Sequence, residues 1–276
     1  MFIINFAPTG MIPTKAMTPH VPTTPAEIVA ETLSAARDWN VSMVHLHARD
    51  DEGNPTYRKE VYAEIIDGIR AENDELIICV STSGRNWSEI EKRAECLDLA
   101  GDLKPDMASL TLSSLNFNNQ ASVNEPATIK ALARRMQDRG IKPELEAFDV
   151  GMINYAKYLA RKGFIAPPFY FNLILGNIAC AQADAMSLGM MIDRLPDGSI
   201  WSAGGVGDAQ LKVNTLGLVS GGGVRVGLED NIWRTPERAS LATNTMLLSR
   251  INELAALLGI TPATPVEVRD ALGLSK

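Results

Sequence analysis

The stretch "SMVHLHA", residues 42–48, sets two histidines among apolar side chains and is typical of a β-strand. It is one of eight apolar runs of similar length. The eight runs are residues 2–7, 42–48, 76–82, 107–113, 144–149, 169–175, 199–205 and 223–229. Longer segments with helical periodicity separate them, and strands that alternate with helices form a parallel sheet through crossover connections. Eight such units in a chain of 276 residues predict an α/β fold, the (β/α)8 TIM barrel.

An open, doubly wound sheet is the alternative fold for the same pattern. The strand count of eight and the lack of a G-x-G-x-x-G motif after the first run disfavour it. No linker or shift in composition divides the sequence, so residues 1–276 are predicted to form a single domain. The last long helical pattern spans residues 235–259. The tail from about residue 260 is predicted to be an extension packed on the barrel or on a neighbouring subunit.

Two of the predicted helices carry signals at their ends. The first begins at Thr24, followed by Pro25 and Glu27, which are residue types that favour a helix start. The other lies between Asn124 and Gly140, residue types that cap the two ends of a helix. These caps predict helices after the first and fourth strands.

Charge and composition exclude several classes of protein. The formal net charge of −7 and the isoelectric point of about 5.1 argue against a surface for nucleic acid or anionic membranes. The sequence has no uncharged apolar run of membrane-spanning length, and its first residues, which lack a basic region, predict a strand rather than a signal peptide. Cys79 lies in an apolar strand, Cys180 in an apolar helical pattern, and Cys96 far from both. We therefore expect reduced thiols buried in the core of a cytoplasmic protein.

His45 and His47 share one face of their strand, because side chains at positions i and i+2 point the same way. Val44 and Leu46 suit the side that faces the helices, so the imidazoles are predicted to point into the barrel near its mouth. Two imidazoles suit a divalent metal, which needs a third ligand and an acceptor for the other ring nitrogen. Two hydrogen-bonded histidines without a metal are an equally good interpretation of this pattern.

The eighth run ends with candidates for the third ligand. Arg225, Glu229 and Asp230 lie at this strand end, and the carboxyl ends of barrel strands carry the active-site residues. Strands 2 and 8 both border strand 1 in a closed barrel, so either carboxylate can reach a metal held by the histidines. Such a ligand set leaves positions open for substrate oxygens. The alternative is that Glu229 or Asp230 caps the next helix.

Glu144 and Glu146 of the fifth run also share a face. Two carboxylates inside a barrel are costly to bury unless they are paired or used in chemistry. Glu146 is nearer to the mouth and is the better catalytic candidate, whereas Glu144 is predicted to hydrogen-bond deeper in the barrel. A salt bridge is the alternative for both.

Several stretches together resemble the β-keto acid cleavage enzymes. They are "VHLHARD" (44–50), "VSTSGR" (80–85), "PDMASLTLSSLNF" (105–117), "KPELEAFDVGMI" (142–153) and "GGGVRVGLEDN" (221–231). The resemblance covers nearly the whole chain, and the combination of the first and last stretches is specific. It implies a (β/α)8 barrel with one Zn2+ per subunit, usually a homotetramer. It also implies a retro-Claisen exchange, in which a β-keto acid and acetyl-CoA give acetoacetate and a new acyl-CoA.

The resemblance further implies a role for each residue of the site. The implied zinc ligands are His45, His47 and Glu229; the implied pair that deprotonates the substrate is Arg225 with Asp230; and the implied residues that orient the substrate or bind developing oxyanions are Ser81, Thr111 and Glu146.

The first loop departs from the pattern of those family members that take an amino-bearing β-keto acid. They carry a glutamate for the ammonium, whereas this chain has Ile12. The expected substrate therefore lacks a cationic amine at that end, and nearby Lys15 is a candidate partner for an anion. The alternative functions are a CoA-independent, metal-dependent aldolase or hydrolase, and a barrel that only binds an acyl-CoA or a keto acid.

Overall fold

The computed structural model describes residues 2–274; Met1, Ser275 and Lys276, at the ends of the predicted domain, lie outside the described residues. Within that range, eight parallel strands close into a barrel, which confirms the predicted (β/α)8 fold. The barrel strands are β1 Ile4–Phe6, β2 Met43–Leu46, β3 Ile77–Val80, β4 Met107–Thr111, β5 Lys142–Ala147, β6 Tyr170–Leu175, β7 Ile200–Gly205 and β8 Gly223–Val226. Each strand overlaps the apolar run predicted for it.

The strand order brings the predicted site residues to one side of the barrel. β1 pairs with β8, with Ile4 opposite Val224, and with β2, with Asn5 opposite Met43. Because β2 and β8 both flank β1, their carboxyl ends are close neighbours at the mouth.

The helices pack outside the barrel. Among residues 2–274 the α-helices are α1 Pro25–Trp39, α2 Lys59–Arg70, α3 Ile90–Ala94, α4 Pro126–Arg139, α5 Val150–Arg161, α6 Ala185–Asp193, α7 Gln210–Val219, α8 Asn244–Leu258 and α9 Pro265–Leu272. Val44 and Leu46 of β2 are fully buried in the apolar core that the helices share with the strands. In this part of the chain, no helix is both long and apolar enough to cross a membrane.

Several predicted helix ends are confirmed. Thr24 and Glu27 form a capping box at the start of α1, with Pro25 in its first turn. Gly140 ends α4 in the left-handed conformation, with a φ of 63° that glycine adopts without strain.

The predicted cap at Asn124 is wrong. Glu125 occupies the N-cap position of α4 and makes no side-chain cap. The Asn124 amide oxygen instead accepts from the Arg93 guanidinium at 2.7 Å. A hydrogen bond from a buried charged donor is stronger than one from a helix end, so Arg93 takes the acceptor.

The predicted start of the last long helix is also wrong. The pattern over residues 235–259 predicted helix throughout, but α8 begins at Asn244, where the Thr243 side chain caps it. Just before it, the backbone N–H of Arg234 donates to the Ser240 carbonyl at 2.9 Å. The Ala242 N–H donates to the Ile232 carbonyl at 2.9 Å, so residues 232–234 pair with residues 240–242 and their backbone groups are not available to a helix.

Cys180 lies outside a helix, contrary to the prediction. It belongs to the turn between β6 and α6, and the next residue, Ala181, donates its N–H to the Phe148 carbonyl at 2.9 Å. This contact with the neighbouring loop fixes an irregular backbone there. Cys79 and Cys96 are buried as predicted, and all three thiols are free.

α9 closes the amino-terminal end of the barrel, which we call the floor. Its Val268 and Leu272 pack against Ile3, Met43 and Ile77, at the beginnings of the strands. The tail predicted as an extension therefore packs on the barrel.

A short antiparallel ribbon follows β4 at the opposite end, the mouth. It joins Leu115–Asn116 to Ala121–Ser122, and we call it the 115–122 hairpin. Asn177 Nδ2 donates to the Asn116 carbonyl at 2.8 Å, which ties the hairpin to the loop after β6.

Candidate metal and active site

The two histidines of β2 point into the barrel at its mouth, as predicted. His45 lies in the strand and His47 directly after it, and both are buried. Their ring centroids are 5.2 Å apart. The imidazoles therefore face one small region between β2 and β8.

Glu229 brings a carboxylate to both imidazoles. Its Oε1 lies 3.1 Å from His47 Nε2 and 4.0 Å from His45 Nε2. One ligand atom from each of the three residues lies within 4.8 Å of the other two. Within residues 2–274, Glu229 Oε2 is buried and has no hydrogen-bond partner. An unpartnered carboxylate oxygen beside two imidazoles fits a divalent cation.

Gly10 allows the first loop to pack against Glu229. A Cβ at Gly10 would lie 2.5 Å from Glu229 Cγ, and the φ of 66° is one that side-chain-bearing residues rarely adopt. The loop thereby covers one side of the carboxylate.

Glu144 orients His45 from deeper in the barrel. His45 Nδ1 lies 2.7 Å from Glu144 Oε1, and Asn5 Nδ2 donates to Glu144 Oε2 at 2.7 Å. A neutral His45 that donates from Nδ1 presents an unprotonated Nε2 toward Glu229. Carboxylate–histidine pairs of this kind fix the tautomer of metal-binding imidazoles.

Arg225 connects the carboxylates of the mouth. Its Nε donates to Asp230 at 2.9 Å, and its two Nη atoms donate to Glu229 at 2.6 Å and Glu146 at 3.4 Å. Glu144 Oε1 lies 3.9 Å from Nη1. Burial acts to lower the pKa of Arg225, but the carboxylates, Asp230 first, hold it well above its usual range. One guanidinium faces four carboxylates, so this region has a surplus of negative charge.

Burial and nearby charges also set the protonation of the other groups. Burial lowers the pKa of His47 below its ordinary 6.5, which favours the neutral imidazole that a metal requires. Burial acts in the same direction on His45, but its carboxylate neighbours, Glu144 first, raise the pKa of this residue. Burial raises the pKa of Asp230 above its ordinary 3.8, although Arg225 acts against it. Asp230 is therefore a stronger base than a free aspartate.

The predicted site residues all line one cleft of about 670 Å³. They are His45, His47, Ser81, Thr111, Glu146, Arg225, Glu229 and Asp230.

Ile12 and Lys15 of the first loop, both predicted to lie near the substrate, differ in their position relative to the cleft. Ile12 is 49% exposed and lines the cleft. Lys15 does not line it, because its ammonium pairs with the Glu27 carboxylate at 2.8 Å. Ile12 is therefore placed to contact a ligand of the cleft, and Lys15 is not.

The geometry decides between the alternatives for the acidic residues. Neither Glu229 nor Asp230 caps α8, whose N-cap side chain is Thr243. Glu146 does lie at ion-pair distance from Arg225, and it also accepts from Thr111 Oγ1 at 2.6 Å. The hydroxyl and the guanidinium together fix the Glu146 carboxylate at the edge of the cleft.

Comparison with known proteins identifies the family to which this chain belongs. The sequence model of the beta-keto acid cleavage enzymes matches residues 1–274. The chain belongs to the β-keto acid cleavage enzyme family. Its sequence is 39% identical over 277 residues to the 3-keto-5-aminohexanoate cleavage enzyme of Fusobacterium nucleatum, covering 99% of this chain and 98% of that relative. It is 34% identical over 275 residues to the 3-oxoadipate:acetyl-CoA acetyltransferase of Cupriavidus necator, covering 99% and 94%. The family predicted from the motifs is confirmed.

A solved structure shares the fold of this β-keto acid cleavage enzyme family member. The apo structure of ObcA superposes with a TM-score of 0.84 at 23% identity, covering 95% of this chain and 67% of that chain. At this identity the likeness shows the barrel fold alone.

Three residues that shape the site of this family member have no role predicted from the sequence: Asn5, Arg85 and Phe117. Asn5 is the polar residue of an apolar run, which was the available signal. Arg85 follows β3, at a strand end where polar residues are expected to face the mouth. Its contact with Phe117, at 3.7 Å from Cζ to the ring centroid, depends on how the 115–122 hairpin folds over the cleft. Sequence periodicity does not report such a contact between loops.

Proposed function

We propose that this protein is a zinc-dependent acyltransferase that cleaves a β-keto acid with acetyl-CoA. The products are acetoacetate and a new acyl-CoA. The observation that carries the proposal is the His45, His47 and Glu229 cluster beside the Arg225–Asp230 pair, in a chain of this family. The names of the two relatives support the reaction class, because both name a 3-keto acid and one names an acetyl-CoA acetyltransferase.

His45, His47 and Glu229 would hold the metal. The unpartnered Glu229 Oε2 and the surplus of carboxylates around Arg225 support a cation at this position. When bound, a divalent ion supplies Lewis acidity toward the keto and carboxylate oxygens of the substrate. We propose zinc, because two imidazoles and one carboxylate form a ligand set of catalytic zinc sites.

Asp230 is the base of the proposed reaction. It takes a proton from carbon 2 of the β-keto acid, while Arg225 Nε, at 2.9 Å, orients its carboxylate. The carbanion attacks the thioester carbon of acetyl-CoA, and CoA thiolate leaves. The thiolate attacks the original keto carbon, and the bond from that carbon to carbon 2 breaks. Asp230 then returns its proton to carbon 2, which completes acetoacetate and leaves the new acyl-CoA.

Ser81, Thr111 and Glu146 orient the substrate. Ser81 Oγ accepts a backbone hydrogen bond from Ser83 at 3.3 Å, which leaves its hydroxyl proton available for a substrate oxyanion. Thr111 donates to Glu146 and so directs that carboxylate. Groups held in this way stabilise developing charge without reorganising during the reaction.

The direct test of the reaction is an acetoacetate assay. Purified protein is mixed with acetyl-CoA and a panel of neutral, anionic and cationic β-keto acids, with and without a chelator. We expect acetoacetate that needs acetyl-CoA and disappears with the chelator. Cleavage of a keto acid without acetyl-CoA, by protein of verified metal content, would instead support the CoA-independent aldolase or hydrolase. No reaction with any acid would support a binding protein.

The proposed substrate has no cationic amine near the first loop. Ile12 supports this, because it lines the cleft and offers no charge to an ammonium. Ile12→Glu should raise kcat/KM for a β-keto acid with an amine relative to its neutral analogue. Ile12→Gln is the control, since it has the size of glutamate without its charge. Equal preferences in both variants would place the substrate tail away from Ile12.

We also propose a homotetramer, a cytoplasmic location and a single domain over residues 1–276. The family resemblance supports the tetramer, and the three free thiols support a reducing compartment. The packing of α9 on the floor supports one folding unit. Light scattering should give four times the chain mass of 29.9 kDa, and a monomeric mass would contradict the tetramer.

A further inference from the structure

Arg85 is a cation of the cleft, and no carboxylate of residues 2–274 forms an ion pair with it. The cleft is also lined by Arg225 and Arg238. Arg225 pairs with the carboxylates of the mouth, and Arg238 pairs with Asp208 at 2.9 Å. The Arg85 side chain is partly buried, and within residues 2–274 its Nε is buried without a hydrogen-bond partner. A buried donor without a partner is unusual in a folded protein and calls for an acceptor.

Phe117 holds the Arg85 guanidinium by one face. The guanidinium carbon lies 3.7 Å from the ring centroid. The ring itself packs edge-on against Phe148, with centroids 5.9 Å apart, and the Phe117 backbone N–H donates to the Gln120 carbonyl at 2.9 Å. Stacking orients the plane of a guanidinium and leaves the donors along its edge free for a carboxylate or a phosphate.

The electrostatics of the cleft make this free cation useful. Burial lowers the pKa of Arg85, whereas Glu229, Glu146 and Asp230, in that order, act to raise it, so these carboxylates lie within electrostatic range. The same carboxylates repel an anionic group of a ligand that neither Arg225 nor the proposed metal binds. A ligand with a negative charge far from its reacting carbons therefore needs a cation of its own, and Arg85 is placed to supply it.

We propose that Arg85, stacked on Phe117, forms an anion subsite that binds a carboxylate or phosphate remote from the reacting carbons. The identity of the reactants rests on the proposed function. Two reactants carry such a group: a β-keto dicarboxylate has a distal carboxylate, and acetyl-CoA has phosphates. The chemistry of recognition is the same for both.

Steady-state kinetics of Arg85→Gln distinguish the two sources. The acids are 3-oxoadipate and 3-oxohexanoate, which have the same carbon chain with and without the distal carboxylate. The thioesters are acetyl-CoA and acetyl-pantetheine, which lacks the phosphates. Arg161→Gln is the control for the lost charge, because Arg161 is exposed at the end of α5 and outside the cleft. Zinc content is measured on every variant to verify the folded site.

Arg85→Gln removes the charged hydrogen bonds from the guanidinium to the bound anion. The KM for the reactant that carries this anion should therefore rise about tenfold or more. If the distal carboxylate is the ligand, the KM for 3-oxoadipate rises and that for 3-oxohexanoate does not. If the CoA phosphates are the ligand, the KM for acetyl-CoA rises with both acids and that for acetyl-pantetheine does not. Unchanged KM values for all four compounds would overturn the subsite.

A binding measurement separates failure of the subsite from failure of the proposed function. Calorimetry with 3-oxoadipate and with CoA needs no turnover. Wild-type protein should bind at least one of them about tenfold more tightly than Arg85→Gln. Phe117→Leu, which keeps the charge and removes the stack, should weaken the same ligand and no other. Equal binding by wild type and Arg85→Gln would overturn the subsite even if the acetoacetate assay succeeds.

Discussion

The floor and the mouth of the barrel both bury arginine beside acidic side chains. Arginines outnumber carboxylates at the floor, and carboxylates outnumber arginines at the mouth. At the floor, the single carboxylate of Asp106 accepts from Arg269 at 2.8 Å and from Arg70 at 3.2 Å. At the mouth, the single guanidinium of Arg225 faces four carboxylates. The floor is a paired ion cluster, whereas the mouth keeps a surplus of negative charge.

This difference separates an ion cluster that supports the fold from one that supports chemistry. Asp106 Oδ2 also accepts from the Ile78 backbone N–H at 2.9 Å, so both of its oxygens have donors. Glu229 Oε2 has no donor among residues 2–274. Buried polar atoms normally have partners, so a buried carboxylate oxygen without a donor indicates a position where a bound cation or substrate completes the pairing.

His47→Ala should produce the largest effect at the mouth. It removes one of three ligand atoms, so bound zinc should fall close to zero and acetoacetate formation should fall with it. Elemental analysis and the acetoacetate assay measure both. His20→Ala, which changes a histidine outside the cleft, should leave both intact. Wild-type zinc content in His47→Ala would remove this residue from the ligand set.

Asp230→Asn should separate metal binding from catalysis at the mouth. The change keeps the shape of the side chain and removes the base, so zinc should remain while kcat falls about 10²–10⁴-fold. The free energy of unfolding should not decrease, because the change removes one of the four carboxylates that crowd Arg225. Normal turnover in this variant would refute Asp230 as the base.

Arg269→Leu should have the opposite signature at the floor. It removes one guanidinium partner of buried Asp106, so the free energy of unfolding should fall by about 3 kcal/mol. Zinc content per folded chain should stay at the wild-type value, because the mouth is untouched. Arg37→Leu, in an exposed ion pair with Asp38, should unfold in urea like the wild type. Wild-type stability of Arg269→Leu would mean that the floor cluster does not support the fold.

Glu27 is an acidic side chain away from both clusters. Replacing it should have the smallest effect on the free energy of unfolding. Partial burial acts to raise its pKa, but hydrogen bonds from Lys15 and from the backbone of Thr23 and Thr24 lower it from the ordinary 4.5 to about 2. A carboxyl whose pKa is lower in the folded state stabilises the fold above its unfolded pKa. That stabilisation is lost as the pH falls from 4.5 toward 2.

Urea unfolding of wild type and Glu27→Gln between pH 6 and pH 2 tests this sign. The stability difference should be largest at pH 6 and shrink below about pH 4.5. Solvent screens the partly exposed Lys15–Glu27 pair, so the difference in the free energy of unfolding should stay below about 1 kcal/mol. A difference that grows as the pH falls would contradict the expected pKa shift.

Much of the mouth was predictable because it rests on short-range geometry and on strand order. The period of two in a strand places His45 and His47 on one face. The closure of eight strands places β8 beside β1 and β1 beside β2, which brings Glu229 to the histidines. The direction of the fifth strand, whose carboxyl end lies at the mouth, predicts that Glu144 lies deeper than Glu146.

The features that sequence analysis missed depend on contacts between distant segments. The sequence predicts Asn124 as a helix cap, but its amide oxygen accepts a hydrogen bond from Arg93 of another helix. The helical pattern predicted over residues 235–259 is interrupted where residues 232–234 pair with residues 240–242 through two backbone hydrogen bonds. The stack of Arg85 on Phe117 needs two loops to meet over the cleft. None of these contacts leaves a periodic signal in the sequence.

The most direct test of the proposed acyl exchange follows the acetyl carbon. Acetyl-CoA labelled with 13C at its carbonyl carbon is incubated with an unlabelled β-keto acid and the zinc-loaded protein, and the products are analysed by NMR. We expect acetoacetate labelled at its keto carbon and an equal amount of unlabelled acyl-CoA made from the keto acid. Unlabelled acetoacetate, or label found only in acetate and residual acetyl-CoA, would contradict acyl exchange.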